Sequence, residues 1–195
     1  MAKTKGIDWN ERYREMIATG KSGVMTLNMT DGDLDLQKRL KKACDFPESD
    51  TVVDFGCGSC TYRPFLKTAF KAKRYVGYDI SNVIISYLRG RFVDDSFSVY
   101  DGMIEPCDVI WSKSVFQHLD DMLFIDVLKS MRSALRVNGK IYIMDSEVKD
   151  ATGYYFCRGD VEHFSLFTKA GLICPVSYAI DSYGIRQNLY EVIKC

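Results

Sequence analysis

The spacing of apolar and polar residues changes character near residue 50. Before it, apolar positions recur at helical spacing. Residues 8–20 open on Asp8 with Glu11 three positions later, the pattern of a capped helix start. Residues 31–43 gather Leu34, Leu36, Leu40 and Ala43 into an apolar stripe. From Thr51 onward, short apolar runs alternate with amphipathic stretches. The runs 51–55, 75–79, 97–100, 107–112 and 140–144 predict strands, the last entered through a Val137-Asn138-Gly139 turn. Residues 61–70, 81–90, 120–136 and 160–170 predict helices, the final one stopped by Gly171. Two closing runs, 172–180 and 187–194, are separated only by a turn around Tyr183-Gly184. Alternation at this spacing predicts an α/β fold: a doubly wound, mostly parallel sheet of seven strands. The closing pair lacks an intervening helix and must form a hairpin, so a C-terminal strand runs antiparallel.

The bulk numbers narrow the setting. The chain has 195 residues, no internal repeat and no linker-like tract, which predicts one domain over 1–195. Its formal net charge is zero, which implies no basic face for nucleic acid. Lys38, Arg39, Lys41 and Lys42 cluster, but at the spacing of a solvated helix face. No apolar stretch approaches the roughly 20 residues of a membrane span, and the opening Met1–Gly6 has no apolar core after its lysines. Seven cysteines at irregular spacing do not make a secreted disulfide framework, so reduced thiols and a cytoplasmic location are expected. Cys57-x-x-Cys60 has no second pair to complete a zinc site, and no metal is expected.

The most informative segment is Val53-Asp54-Phe55-Gly56-Cys57-Gly58-Ser59-Cys60. It reads as a buried strand that stops, turns sharply on glycines and feeds a helix. Such a turn aims backbone N–H groups at whatever lies above the strand. Other chemistry-bearing residues also fall at expected strand ends: Asp79, Asp101-Gly102, Ser112, and Asp145-Ser146-Glu147. In doubly wound sheets ligands collect there. Asp79, one strand–helix–strand unit after the glycine turn, suits both hydroxyls of a ribose; its other reading is a cap for the helix beginning at Ser81. Asp101 suits an adenine amine, or simply a turn before Gly102.

These residues together resemble the class I S-adenosylmethionine-dependent methyltransferases. Val53–Gly58 resembles their Asp-x-Gly-x-Gly motif, and Tyr75–Ser81 the segment that holds the ribose. Asp108–Ser112 through Val115–Leu119 is similar to the fourth-strand stretch of the small-molecule branch, the type 11/12-like group. Leu135–Lys140 resembles the turn before strand five, and Trp9–Tyr13 the family's opening motif. The family's third glycine is Cys60 here, and the usual Pro-Gly-Gly turn is Val137-Asn138-Gly139. The resemblance implies a Rossmann-like methyltransferase fold and S-adenosyl-L-methionine as cofactor. It implies cofactor contacts from Trp9, Arg12, Asp54, Gly56, Cys57, Gly58, Asp79, Ile80, Asp101, Gly102 and Ser112, with residues 8–43 as a helical lid. A nicotinamide-dependent oxidoreductase fits less well, because Thr61 would crowd the position where that fingerprint needs a small residue.

Transfer to a hydroxyl or an amine is helped by a general base. His118 is the candidate; its other reading is a packing residue, or a cap at Asp120-Asp121. His163 reads as structural. Asp145 and Glu147 suit an acceptor amine, and Tyr154-Tyr155-Phe156 suits an aromatic pocket wall or packing on the sheet. No signature of a DNA or arginine methyltransferase is present, so a small-molecule O or N acceptor is expected. A fold of this kind that binds the cofactor without methylating, an aminopropyltransferase-like enzyme or a regulatory binder, is the alternative. The sequence sets neither the acceptor nor the oligomeric state.

Overall fold

The computed structural model describes residues 7–22, 25–146, 156, 158–182 and 185–195. Strand order in the main sheet is β5-β4-β3-β6-β7-β9-β8, seven strands in all. The chain divides into two compact units, Asp8–Asp101 and Gly102–Cys195.

The first unit opens with α1 (Trp9–Thr19), β1 (Lys21–Ser22), β2 (Met25–Thr26) and α2 (Asp31–Ala43). Asp8 caps α1 as expected, its carboxylate accepting from the Glu11 N–H at 3.1 Å. Thr30 and Asp33 form a reciprocal capping box on α2. The short antiparallel pair β1–β2 was not legible in the sequence, because two residues per strand show no period. Then follow β3 (Thr51–Phe55), α3 (Arg63–Ala69), β4 (Arg74–Asp79), α4 (Asn82–Arg91) and β5 (Ser96–Val99). β4 pairs in parallel with both β3 and β5. Every β3 residue is buried, which explains a continuous apolar run in place of alternation. Gly77 in β4 has a packing reason: a Cβ there would lie 2.7 Å from the Phe97 ring and 3.0 Å from Cys57 Sγ.

The second unit holds β6 (Cys107–Lys113), a 3₁₀ turn (Phe116–His118), α5 (Asp121–Ala134), β7 (Leu135–Ser146), α6 (Asp160–Lys169), β8 (Leu172–Ser182) and β9 (Ile185–Lys194). β6 and β7 are parallel; β9 runs antiparallel to both β7 and β8, as the hairpin argument requires. β7 is longer than its apolar run. The expected Asn138-Gly139 turn is absorbed into it as an irregularity where the β6–β7 register shifts, with Asn138 at φ +63°. Ser112 and Asp145 therefore lie inside strand ends rather than beyond them. The Tyr183-Gly184 turn lies outside the described residues. Among the described residues, no helix is long and apolar enough to cross a membrane.

One buried polar contact sits beneath the glycine turn. The Tyr75 hydroxyl donates to Asp54 Oδ2 at 2.6 Å and lies 3.4 Å from Cys60 Sγ. Burial, with Asp54 beside it, holds the Tyr75 phenol well above its ordinary pKa. Tyr75→Phe removes a donor from a buried carboxylate and is expected to cost about 1–3 kcal/mol in denaturant unfolding. The same phenol carries a pH signature. An unfolded tyrosine ionises from about pH 10, while the folded one stays protonated, so stability is fully present below that pH and is lost as pH rises through it. The alkaline slope of wild-type stability should flatten in Tyr75→Phe.

Candidate functional site

The glycine turn between β3 and α3 is built by the strand beside it. The Gly56 and Cys57 N–H groups both donate to the Tyr78 carbonyl, at 2.7 and 2.9 Å. Gly56 and Gly58 have φ of +72° and +51°, which the turn demands and glycine supplies without strain. Cys60, where a third glycine was expected, also lies in the left-handed region at φ +61°. Its N–H is tied back to the Cys57 carbonyl at 2.8 Å. The buried Cys57 thiol is pushed up by burial and by its contact with Cys60, so its sulfur packs as a small neutral group.

Asp79 is the hub of this unit. It ends β4 and is 6% exposed. Its Oδ2 accepts from the Gly58 N–H at 3.1 Å and the Tyr13 hydroxyl at 3.2 Å; its Oδ1 accepts from the Ser81 N–H at 3.0 Å. Burial raises its pKa, and the bonds from Ser81, Gly58 and Tyr13 work against that rise. The cap reading of Asp79 is thereby separated from α4: Ser81 is the N-cap there, its hydroxyl facing the Ile84 N–H. Ser81 also donates to Asn10 Oδ1 at 2.6 Å, which fastens α1 over the start of α4.

α1 brings Trp9, Arg12 and Tyr13 to the same region, with the Trp9 and Tyr13 rings 6.2 Å apart and the Arg12 guanidinium 6.0 Å from the Trp9 ring centre. Tyr13 and Asn10 are the residues that sequence reasoning left out of the site. Their signal was present: Trp9 and Tyr13 are four apart on one helix face, within the very motif that was noted. Ile80, next to the buried Asp79, is 39% exposed and offers an apolar surface. Tyr100 donates its N–H to the Asp79 carbonyl at 2.9 Å, which brings the chain end at the exposed Asp101 back beside the end of β4. Asp54 faces Tyr75 rather than the turn's outer side, so it supports the turn from beneath.

The second unit holds the remaining candidates. The Gly102 carbonyl accepts from the Ser130 hydroxyl at 2.8 Å. Ser112 is fully buried near the end of β6, its hydroxyl without a hydrogen-bond partner among the described residues. His118 ends the 3₁₀ turn and is buried. It does not cap α5: the Asp120 carboxylate does, accepting from the Leu123 N–H at 2.9 Å. His163 packs among Phe124, Phe167 and Tyr190, and Asp145 is buried beside it. Glu147, Tyr154 and Tyr155 lie outside the described residues, and Phe156 is half-buried, its N–H on the Gln117 carbonyl at 2.7 Å.

Within the first unit a nucleoside cofactor fits what is present: a sharp glycine turn, a carboxylate at the next strand end and an apolar residue beside it.

Residues 53–141 match the family model of a methyltransferase domain. No curated protein matches the chain. Among solved structures, a mitomycin 7-O-methyltransferase is similar at 18% identity and TM-score 0.68, over 98% of this chain and 70% of that one. A TehB-like S-adenosylmethionine-dependent methyltransferase from Corynebacterium glutamicum is similar at 18% identity and TM-score 0.64, over 96% and 97%. An O-methyltransferase of neocarzinostatin biosynthesis, solved with S-adenosylhomocysteine and 1,4-dihydroxy-2-naphthoic acid, shows 18% identity and TM-score 0.63 over 74% and 49%. At these identities the structural likeness is one of fold. The domain match, the motifs in order and the strand topology agree on a methyltransferase domain over residues 53–141, in a fold shared with Rossmann-like methyltransferases.

Proposed function

We propose that this methyltransferase transfers its methyl group to an oxygen or nitrogen atom of a small molecule. The observation that carries the cofactor half is the Asp79 carboxylate, wired to the Gly58 N–H of the turn and lying at the strand end where a ribose would meet it. When bound, S-adenosylmethionine supplies an electrophilic sulfonium methyl, so the protein's task is chiefly positioning.

The residue roles follow from their settings. Gly56, Cys57 and Gly58 present backbone to the cofactor, and Asp54 shapes that backbone from below. Asp79 receives the ribose hydroxyls, in exchange for the Tyr13 hydroxyl that it now holds. Ile80 offers its exposed side chain to the adenine, and Asp101 with Gly102 its polar edge. α1 and α2 act as the lid, bringing Trp9 and Arg12, and Ser112 contributes from the end of β6. His118 takes the acceptor's proton. The names of the similar structures, mitomycin and neocarzinostatin O-methyltransferases, support a small-molecule acceptor. One domain over the whole chain suits this reading. So does a cytoplasmic setting, because the described cysteines are free thiols.

S-adenosylhomocysteine at about 100 times its Kd should stabilise the protein by about 2.7 kcal/mol, a rise in melting temperature of several degrees. NAD at the same concentration should produce none; a shift with NAD alone would overturn the cofactor assignment. Asp79→Ala should weaken S-adenosylhomocysteine binding at least about tenfold by calorimetry, which is about 1.4 kcal/mol. An unchanged affinity rejects its ribose role. His118→Gln should lower the rate of labelled-methyl transfer by a factor on the order of 10² or more, with cofactor affinity unchanged.

A further inference from the structure

Asp145 is the least compensated charge among the described buried residues of the second unit. It is 5% exposed, and neither carboxylate oxygen has a hydrogen-bond donor among the described residues. Among the described residues its neighbour of opposite potential charge is His163, with Nε2 at 3.7 Å from Oδ2, too long for a hydrogen bond. His163 Nδ1 lies 3.0 Å from the Gly159 carbonyl, which can only accept, so that nitrogen is committed there and Nε2 is the one turned toward Asp145.

Neighbouring donors on the same face of the sheet are committed to a second acid. Asn188 is the register partner of Asp145 across β7–β9, yet its amide donates to Asp160 at 3.3 Å. The Tyr190 hydroxyl also donates to Asp160, at 2.6 Å. Asp160 thus takes both neighbouring donors, and Asp145 is left beside His163, which is walled by the Phe124 and Phe167 rings at 5.7 and 6.1 Å. A buried carboxylate without a donor is costly, and a fold keeps one where an incoming group completes it. Asp145 also lies at the carboxyl end of β7, the end where sheets of this class receive ligands.

We propose that Asp145 anchors an ammonium group of the methyl acceptor, with His163 as its positioning neighbour. The assignment narrows the acceptor to an amine-bearing small molecule and rests on the methyl-transfer reading above. The aromatic walls suit a cation as well, since ring faces attract it.

The test uses matched pairs differing only in the charged head: benzylamine against benzyl alcohol, phenethylamine against 2-phenylethanol, and tyramine against tyrosol. Binding to the full chain is measured by calorimetry with and without S-adenosylhomocysteine. Each ammonium probe should bind at least tenfold tighter than its alcohol. In Asp145→Asn the preference should collapse, while S-adenosylhomocysteine affinity stays within twofold and the melting temperature holds or rises, as expected when an uncompensated buried charge is removed. His163→Gln should narrow the preference less than Asp145→Asn does, and Asp145→Ala should repeat the loss. Equal affinities within the pairs, no binding of any ammonium probe, or a preference that survives in Asp145→Asn would overturn the proposal. A parallel fall in melting temperature for Asp145→Asn and His163→Gln, with the preference intact, would mark the pair as structural. Failure of S-adenosylhomocysteine to bind the wild type would count against the methyl-transfer reading, and the probe series without it would still decide the role of Asp145.

Discussion

Everything described in the first unit depends on keeping the Asp79 carboxylate buried and hydrogen-bonded. Burying such a group without partners is costly, and at this strand end the fold supplies the donors. Those donors come from three separate elements: Gly58 in the turn after β3, Ser81 at the start of α4, and Tyr13 in α1. One charged group thereby fixes the relation of the turn, the neighbouring helix and the N-terminal helix. The interaction that shapes the region is also the one we propose for the cofactor.

A second carboxylate repeats the device one strand away. Asp54 in β3 is met by the Tyr75 hydroxyl from β4, as Asp79 is met by Tyr13. Each pair couples a buried acid to a phenol that burial keeps protonated. The glycine turn lies between them, held by N–H groups on the Tyr78 carbonyl. This support explains how Cys60 can occupy a left-handed conformation, which costs a non-glycine residue roughly 1–2 kcal/mol. In the second unit Asp145 lacks such a phenol, because Tyr190 serves Asp160. Two acids of the first unit are thus hydrogen-bonded, and Asp145 in the second has no donor among the described residues.

The elements were legible where periodicity was long. α2 appears over the expected 31–43, and each expected strand appears within a few residues. Misreadings cluster where local signal and tertiary pairing disagree. Asn138-Gly139 has the composition of a turn, yet pairing beside β6 draws it into β7. β1 and β2 are too short for any pattern to show. Among candidate residues, the cap reading of His118 failed because Asp120, the better cap by chemistry, stood two residues away.

By itself the sequence determined the fold class and marked the glycine turn and the acids near strand ends, because these rest on local period and glycine spacing. Only the tertiary structure decided which polar groups meet. Asp79 and Tyr13 are 66 residues apart, and Asp145 faces a helix residue through no sequence pattern. Hydrogen bonds are satisfied in space, between elements whose separation along the chain carries no period. Whether a buried acid is already paired or still waiting for a donor is therefore written only in the folded chain.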